Sequence, residues 1–76
     1  MTKQPIPIVA ETTGSLWKIV AQPGERHAAG AELFVIESMK MEIPVEAEVS
    51  GTIHEYHVAE GEVVEEGQVI AMFIPD

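Results

Sequence analysis

Shifted by 37 residues, the chain falls on itself. Ile6 and Pro7 meet Ile43 and Pro44, Ala10 and Glu11 meet Ala47 and Glu48, and Lys3 meets Lys40. The six glycines pair off completely: Gly14 with Gly51, Gly24 with Gly61, Gly30 with Gly67. Glu25 follows the second glycine of one half as Glu62 follows that of the other. Two copies are too few for a solenoid, which needs roughly three units to bury a continuous core. The repeat therefore predicts one globule of two similar halves around an approximate two-fold axis.

Each half reads as strands. Ile43, Val45, Ala47 and Val49 alternate with polar or small residues, the period of a half-buried strand. The apolar runs at 33–36 and 69–74 are short and bounded by polar residues or Gly, which favours buried strands over helices. No stretch has helical periodicity; residues 60–68 come nearest and hold two glycines. Pro44 has no N–H to donate, so its strand should lie at a sheet edge or begin there. The apolar positions Leu16, Ile19, Ala21 and their counterparts Ile53, Tyr56, Val58 break alternation at the same place, which predicts a bulge or sharp twist there in both halves. Gly24 and Gly61 fall where turns need positive φ, and Gly30 and Gly67 close the loop before the next strand. The expected fold is all-β: six to eight short strands in a flattened barrel or two-sheet sandwich, the halves supplying one sheet each or exchanging strands.

Composition narrows the function classes. Seventy-six residues suit a single domain, 1–76, with a core over about 8–74. Thirteen acids against four Lys and Arg give a formal charge of −9, which speaks against nucleic acid and anionic membrane surfaces as partners. A 46 % apolar content separates the chain from disordered acidic tails, and the absence of Cys excludes disulfides and thiolate metal sites. The first ten residues lack the apolar core of a secretory signal, and both apolar runs are far too short to span a bilayer, so a cytoplasmic location is expected. A chain this small has little room for a core, a pocket and catalytic machinery together. It reads as a module that serves other proteins.

Side chains with catalytic potential are sparse. No nucleophile elbow, phosphate loop or dinucleotide fingerprint is present. His54 and His57 are three apart, so a regular strand sends them to opposite faces, and His27 is expected in a loop of the other half. These three read as solvated histidines, with no metal site. Glu60, Glu62, Glu65 and Glu66 read as a solvated loop.

Residues 37–42, Glu37-Ser38-Met39-Lys40-Met41-Glu42, stand apart. They lie at mid-chain between two strand patterns, so they should form a hairpin tip. Tight hairpin turns prefer Asn-Gly or Asp-Gly, and Met-Lys is a poor choice for positive φ. Two exposed methionines at a tip are equally out of place. A local rule broken without compensation points to function. Lys40 at such a tip could act as an amine nucleophile toward an activated acyl group, with Met39 and Met41 docking on an apolar groove. An ordinary surface lysine in a sticky turn, never modified, is the competing reading.

This segment resembles the attachment motif of biotinyl domains, the biotin carboxyl carrier proteins of biotin-dependent carboxylases. The resemblance covers about 8–74 and includes Gly14, the Gly24-Glu25…Gly30 turn, Met39-Lys40-Met41, Gly51 and the Gly61-Glu62…Gly67 turn. The layout is similar to small single-domain biotin/lipoyl attachment proteins. It implies a flattened β-barrel of two four-stranded antiparallel sheets with quasi two-fold symmetry and no thumb insertion between Ala21 and Gly30. It implies biotin joined by an amide to Lys40 through a biotin protein ligase, and a carboxyl group carried from biotin carboxylase to carboxyltransferase by a domain that catalyses nothing itself. Glu37, Ser38, Met39, Met41 and Glu42 would serve recognition. Lipoate is the alternative cargo, although lipoyl domains have Asp before the lysine where this chain has Met39. The chain departs from the family pattern at Ala10-Glu11-Thr12-Thr13-Gly14, and at His27, which stands where its counterpart is Val64.

Overall fold

The computed structural model describes residues 4–76; the first three residues of the expected domain, Lys3 among them, lie outside the described ones. Eight strands follow in order: β1 (Ile6–Val9), β2 (Gly14–Ile19), β3 (Arg26–His27), β4 (Glu32–Ser38), β5 (Met41–Glu46), β6 (Gly51–Tyr56), β7 (Val63–Val64) and β8 (Val69–Pro75). No helix occurs among the described residues. One antiparallel sheet has the order β1-β8-β6-β3 and the other β5-β4-β2-β7. Adding four to each label of the first half turns one sheet into the other. The two halves therefore exchange strands, each sheet drawing two from each half, which resolves the choice the sequence left open.

The core lies between the sheets. Leu16, Leu33, Phe34, Ile36, Ile53, Val64, Ile70 and Phe73 are fully buried, and most are repeat partners: Leu16 with Ile53, Leu33 with Ile70, Ile36 with Phe73. Both expected bulges are present, between Leu16 and Lys18 in β2 and between Ile53 and Glu55 in β6. Pro44 sits in β5, an edge strand, where its missing N–H costs no ladder bond to a further strand.

The matched glycines meet two different needs. Gly24, Gly30, Gly61 and Gly67 adopt φ of 87–90°, as their turns require. Gly14 and Gly51 are needed for another reason. A Cβ on Gly14 would lie 2.3 Å from the Glu37 carbonyl oxygen, and one on Gly51 would lie 2.3 Å from that of Ile74. Backbones approach too closely there for any side chain. The repeated Glu25 and Glu62 also hold their turns in shape. Each accepts a bond across its own turn, from Gln22 N at 3.0 Å and from Ala59 N at 2.8 Å.

Candidate functional site

Strands β4 and β5 form a hairpin in which Ser38 pairs with Met41, leaving Met39 and Lys40 as its two-residue tip. Both have positive φ, 52° and 65°, the signature of a type I′ turn. Neither side chain relieves that conformation as Gly or Asn would, so the backbone is held there by the strands on either side. Met39 is 92 % exposed, Met41 is 65 % exposed, and Lys40 is exposed between them. Among the described residues, no hydrogen bond or ion pair engages the Lys40 ammonium group. An amine presented in this way is open to acylation from any direction.

The base of the hairpin is fixed. Ser38 Oγ donates to the Thr13 carbonyl oxygen at 2.8 Å, and Thr13 Oγ1 accepts from Glu66 N at 3.2 Å. Gly14, paired with Val64 in β7, lies directly beneath the Glu37 carbonyl. Ser38 thus anchors the tip to the β1–β2 loop. Thr13 is a site residue that sequence reasoning missed; its only sequence sign is that the repeat keeps a hydroxyl at both 13 and 50. Glu37 and Glu42 face each other across the strands, both exposed. Like charges in direct cross-strand pairs are destabilising, so this pair surrounds Lys40 with negative potential at a cost to the hairpin.

The remaining candidates fall elsewhere, and several differ from expectation. His27 is not in a loop: it belongs to β3, pairs with Gly51 and is partly buried. Its Nε2 lies 3.5 Å from Glu25 Oε1, too far for a good hydrogen bond. His54 and His57 do not diverge, because the β6 bulge brings both toward Glu55. His57 Nε2 is 2.7 Å from one Glu55 oxygen and His54 Nε2 is 3.6 Å from the other. The acidic loop is more than a solvated stretch: Glu60 Oε2 accepts from Ile19 N at 2.6 Å. Among the described residues no group of His, Asp or Glu is arranged to hold a metal ion, and no helix is long and apolar enough to cross a membrane.

A family model described as biotin-requiring enzyme, the biotin/lipoyl family, matches residues 2–73. The chain belongs to this family. As a biotin/lipoyl family member it is a biotin carrier domain, and biotin is its cofactor. The chain is 42 % identical over 60 residues to a "Biotin/lipoyl attachment protein" of Bacillus subtilis (strain 168), covering 79 % of this chain and 82 % of that protein. It is 40 % identical over 63 residues to a "Biotinylated protein TB7.3 homolog" of Mycobacterium leprae (strain TN), covering 83 % and 89 %. The solved structure of a single-chain, multi-domain long-chain acyl-CoA carboxylase superposes with a TM-score of 0.89 at 28 % identity, over 95 % of this chain. This chain spans only 7 % of that carboxylase. The two-sheet architecture is thus the carrier-domain fold.

Proposed function

We propose that Lys40 is the attachment point and that residues 1–76 act as one carrier domain. The observation that carries this reading is the exposed, unpaired amine at a rigid tip whose backbone has the wrong residues for its conformation. Lys40 Nζ, as the free amine, attacks the acyl carbon of biotinyl-adenylate. A C–N bond forms, the C–O bond to AMP breaks, and the amine's proton passes to solvent. Loss of that one positive charge takes the formal charge from −9 to −10. The bound biotin then supplies a nitrogen that can be carboxylated and discharged.

The chain's own contribution is mechanical and electrostatic. Ser38 and Gly14 hold the base of the hairpin, so the arm pivots from a fixed point. Met39 and Met41 give a polarisable apolar contact to each enzyme that receives the tip. The domain itself catalyses nothing: biotin protein ligase loads Lys40, biotin carboxylase charges it, and a carboxyltransferase unloads it. Tethering gives a high local concentration at each active site, so each docking can be weak. Similarity to a protein named for both biotin and lipoyl attachment favours lipoate as a second cargo on the same amine.

A streptavidin blot of the chain co-expressed with a biotin protein ligase tests the assignment. Signal from the native chain and none from Lys40→Arg is expected; equal signal from both would refute it.

A further inference from the structure

The internal two-fold supplies its own control surface. Residues 37 apart occupy equivalent places on the two sheets, so their outer faces should match unless function distinguishes them. On the sheet that carries the Lys40 hairpin, the outer face exposes Val63 (73 %), Trp17 (46 %) and Val20 (41 %), with Lys18 beside them. The counterparts on the other sheet are Arg26, His54, His57 and Glu55. Each of these three exposed apolar positions is charged or histidine on the second face. There, His54 and His57 turn to Glu55, and Arg26 pairs with Asp76. At these three positions the apolar character belongs to the sheet with the attachment lysine, whereas Val35 and Pro44 keep apolar counterparts, Met72 and Pro7, on the other sheet.

This face is continuous with the tip. Trp17 sits at the β2 bulge, beside a groove floored by Val35 and Pro44, themselves a cross-strand pair of β4 and β5. That pair is three steps back from Ser38 and Met41, roughly 10 Å along the strands. A specific interface takes roughly 800 Å² from each partner, more than Met39, Lys40 and Met41 can supply. Any enzyme that selects this domain while it is still unmodified must therefore rest on neighbouring surface. Glu32, Glu37 and Glu42 edge the face against the single Lys18, so its complement is an apolar pocket with a basic rim.

We infer that the Trp17 face is the docking surface for the biotin protein ligase that loads Lys40, with Trp17 as the anchor side chain. Buried aromatic anchors dominate such interfaces, while rim charges set encounter rates and salt dependence. The inference rests on the assignment of Lys40 above.

The test is steady-state biotinylation of the purified chain by a purified biotin protein ligase with ATP and biotin. Wild type, Trp17→Ala, Trp17→His and His54→Ala are compared, with Lys40→Arg alongside; Trp17→His installs the residue of the equivalent site and keeps an exposed ring. Both Trp17 variants should raise KM for the carrier at least tenfold with kcat within twofold, and His54→Ala should leave KM within twofold. Thermal melts of the variants should match wild type, since both positions are exposed. Added salt should raise the wild-type KM. Unchanged KM in both Trp17 variants, or an equal rise in His54→Ala, would overturn the docking face while leaving Lys40 standing. Equal loading of Lys40→Arg would overturn the Lys40 assignment and this face with it.

Discussion

The tip residues carry a conformational cost that a plain hairpin would avoid. A non-glycine side chain in the left-handed region loses about 1–2 kcal/mol, and Met39 and Lys40 both sit there. Met39 is almost wholly exposed, so no packing compensates. Met39→Asn, which tolerates this backbone, should therefore stabilise the fold by about 1 kcal/mol, a rise of about 4–8 °C in Tm. The same variant should be loaded more slowly, because an apolar contact beside the reacting amine is gone. Thermal unfolding and ligase kinetics on one preparation check both halves. A lower Tm would mean that Met39 stabilises the fold through contacts its exposure gives no sign of.

At the scale of elements, the candidate hairpin is held at its base by the close approach of Gly14 and by the Ser38–Thr13 bond. A Cβ at Gly14 would press on the Glu37 carbonyl with no flexible atom to yield, so β2 and β4 would have to separate. Gly14→Ala should cost about 1–3 kcal/mol in chemical denaturation and also slow loading of Lys40. Gly51→Ala, under the opposite end of the other sheet, should cost a similar amount with little effect on loading. Equal loading of both variants would show that the base does not position the tip. Much of this architecture is legible in the sequence. The broken alternation at Leu16, Ile19, Ala21 and again at Ile53, Tyr56, Val58 marks both bulges, and Met-Lys in a hairpin marks the candidate site. What is not legible depends on contacts distant along the chain. The close approach of Gly14 to Glu37 leaves no local pattern. The β6 bulge can be read from the pattern, yet its effect on His54 and His57 depends on how the bulged residues point. The sequence places His27 in a loop because a two-residue strand is too short to show any alternation.

At the scale of the whole molecule, the two sheets are joined by the core, and Tyr56 adds a polar link between them. Tyr56, from β6, donates to the Ala21 carbonyl oxygen at 2.7 Å and lies 3.3 Å from that of Leu33, both on the opposite sheet's side. Its counterpart in the repeat is Ile19, so this link has no twin. Burial, and then the nearby Glu25 carboxylate, push the phenol from 10.0 up to about 12. Between those values the folded chain holds a proton that the unfolded chain has lost, so stability falls as pH rises. The contribution is intact below pH 10 and gone above about pH 12. Because the phenol is partly solvated, the loss by pH 11 should be about 1 kcal/mol in urea unfolding. Tyr56→Phe should be less stable at neutral pH, by about 1 kcal/mol for the lost hydrogen bond, and should not show that alkaline decline. An unchanged alkaline decline in Tyr56→Phe would place its origin in another group.

The central claim concerns one nitrogen, and peptide mapping reads it directly. Trypsin cuts an unmodified chain after Lys3, Lys18, Arg26 and Lys40, but an acylated lysine blocks cleavage. After loading with biotin, mass spectrometry should find a single uncut peptide, 27–76, carrying one biotinyl group. A biotinyl group on Lys18, Lys3 or the amino terminus, with cleavage after Lys40 intact, would contradict the account.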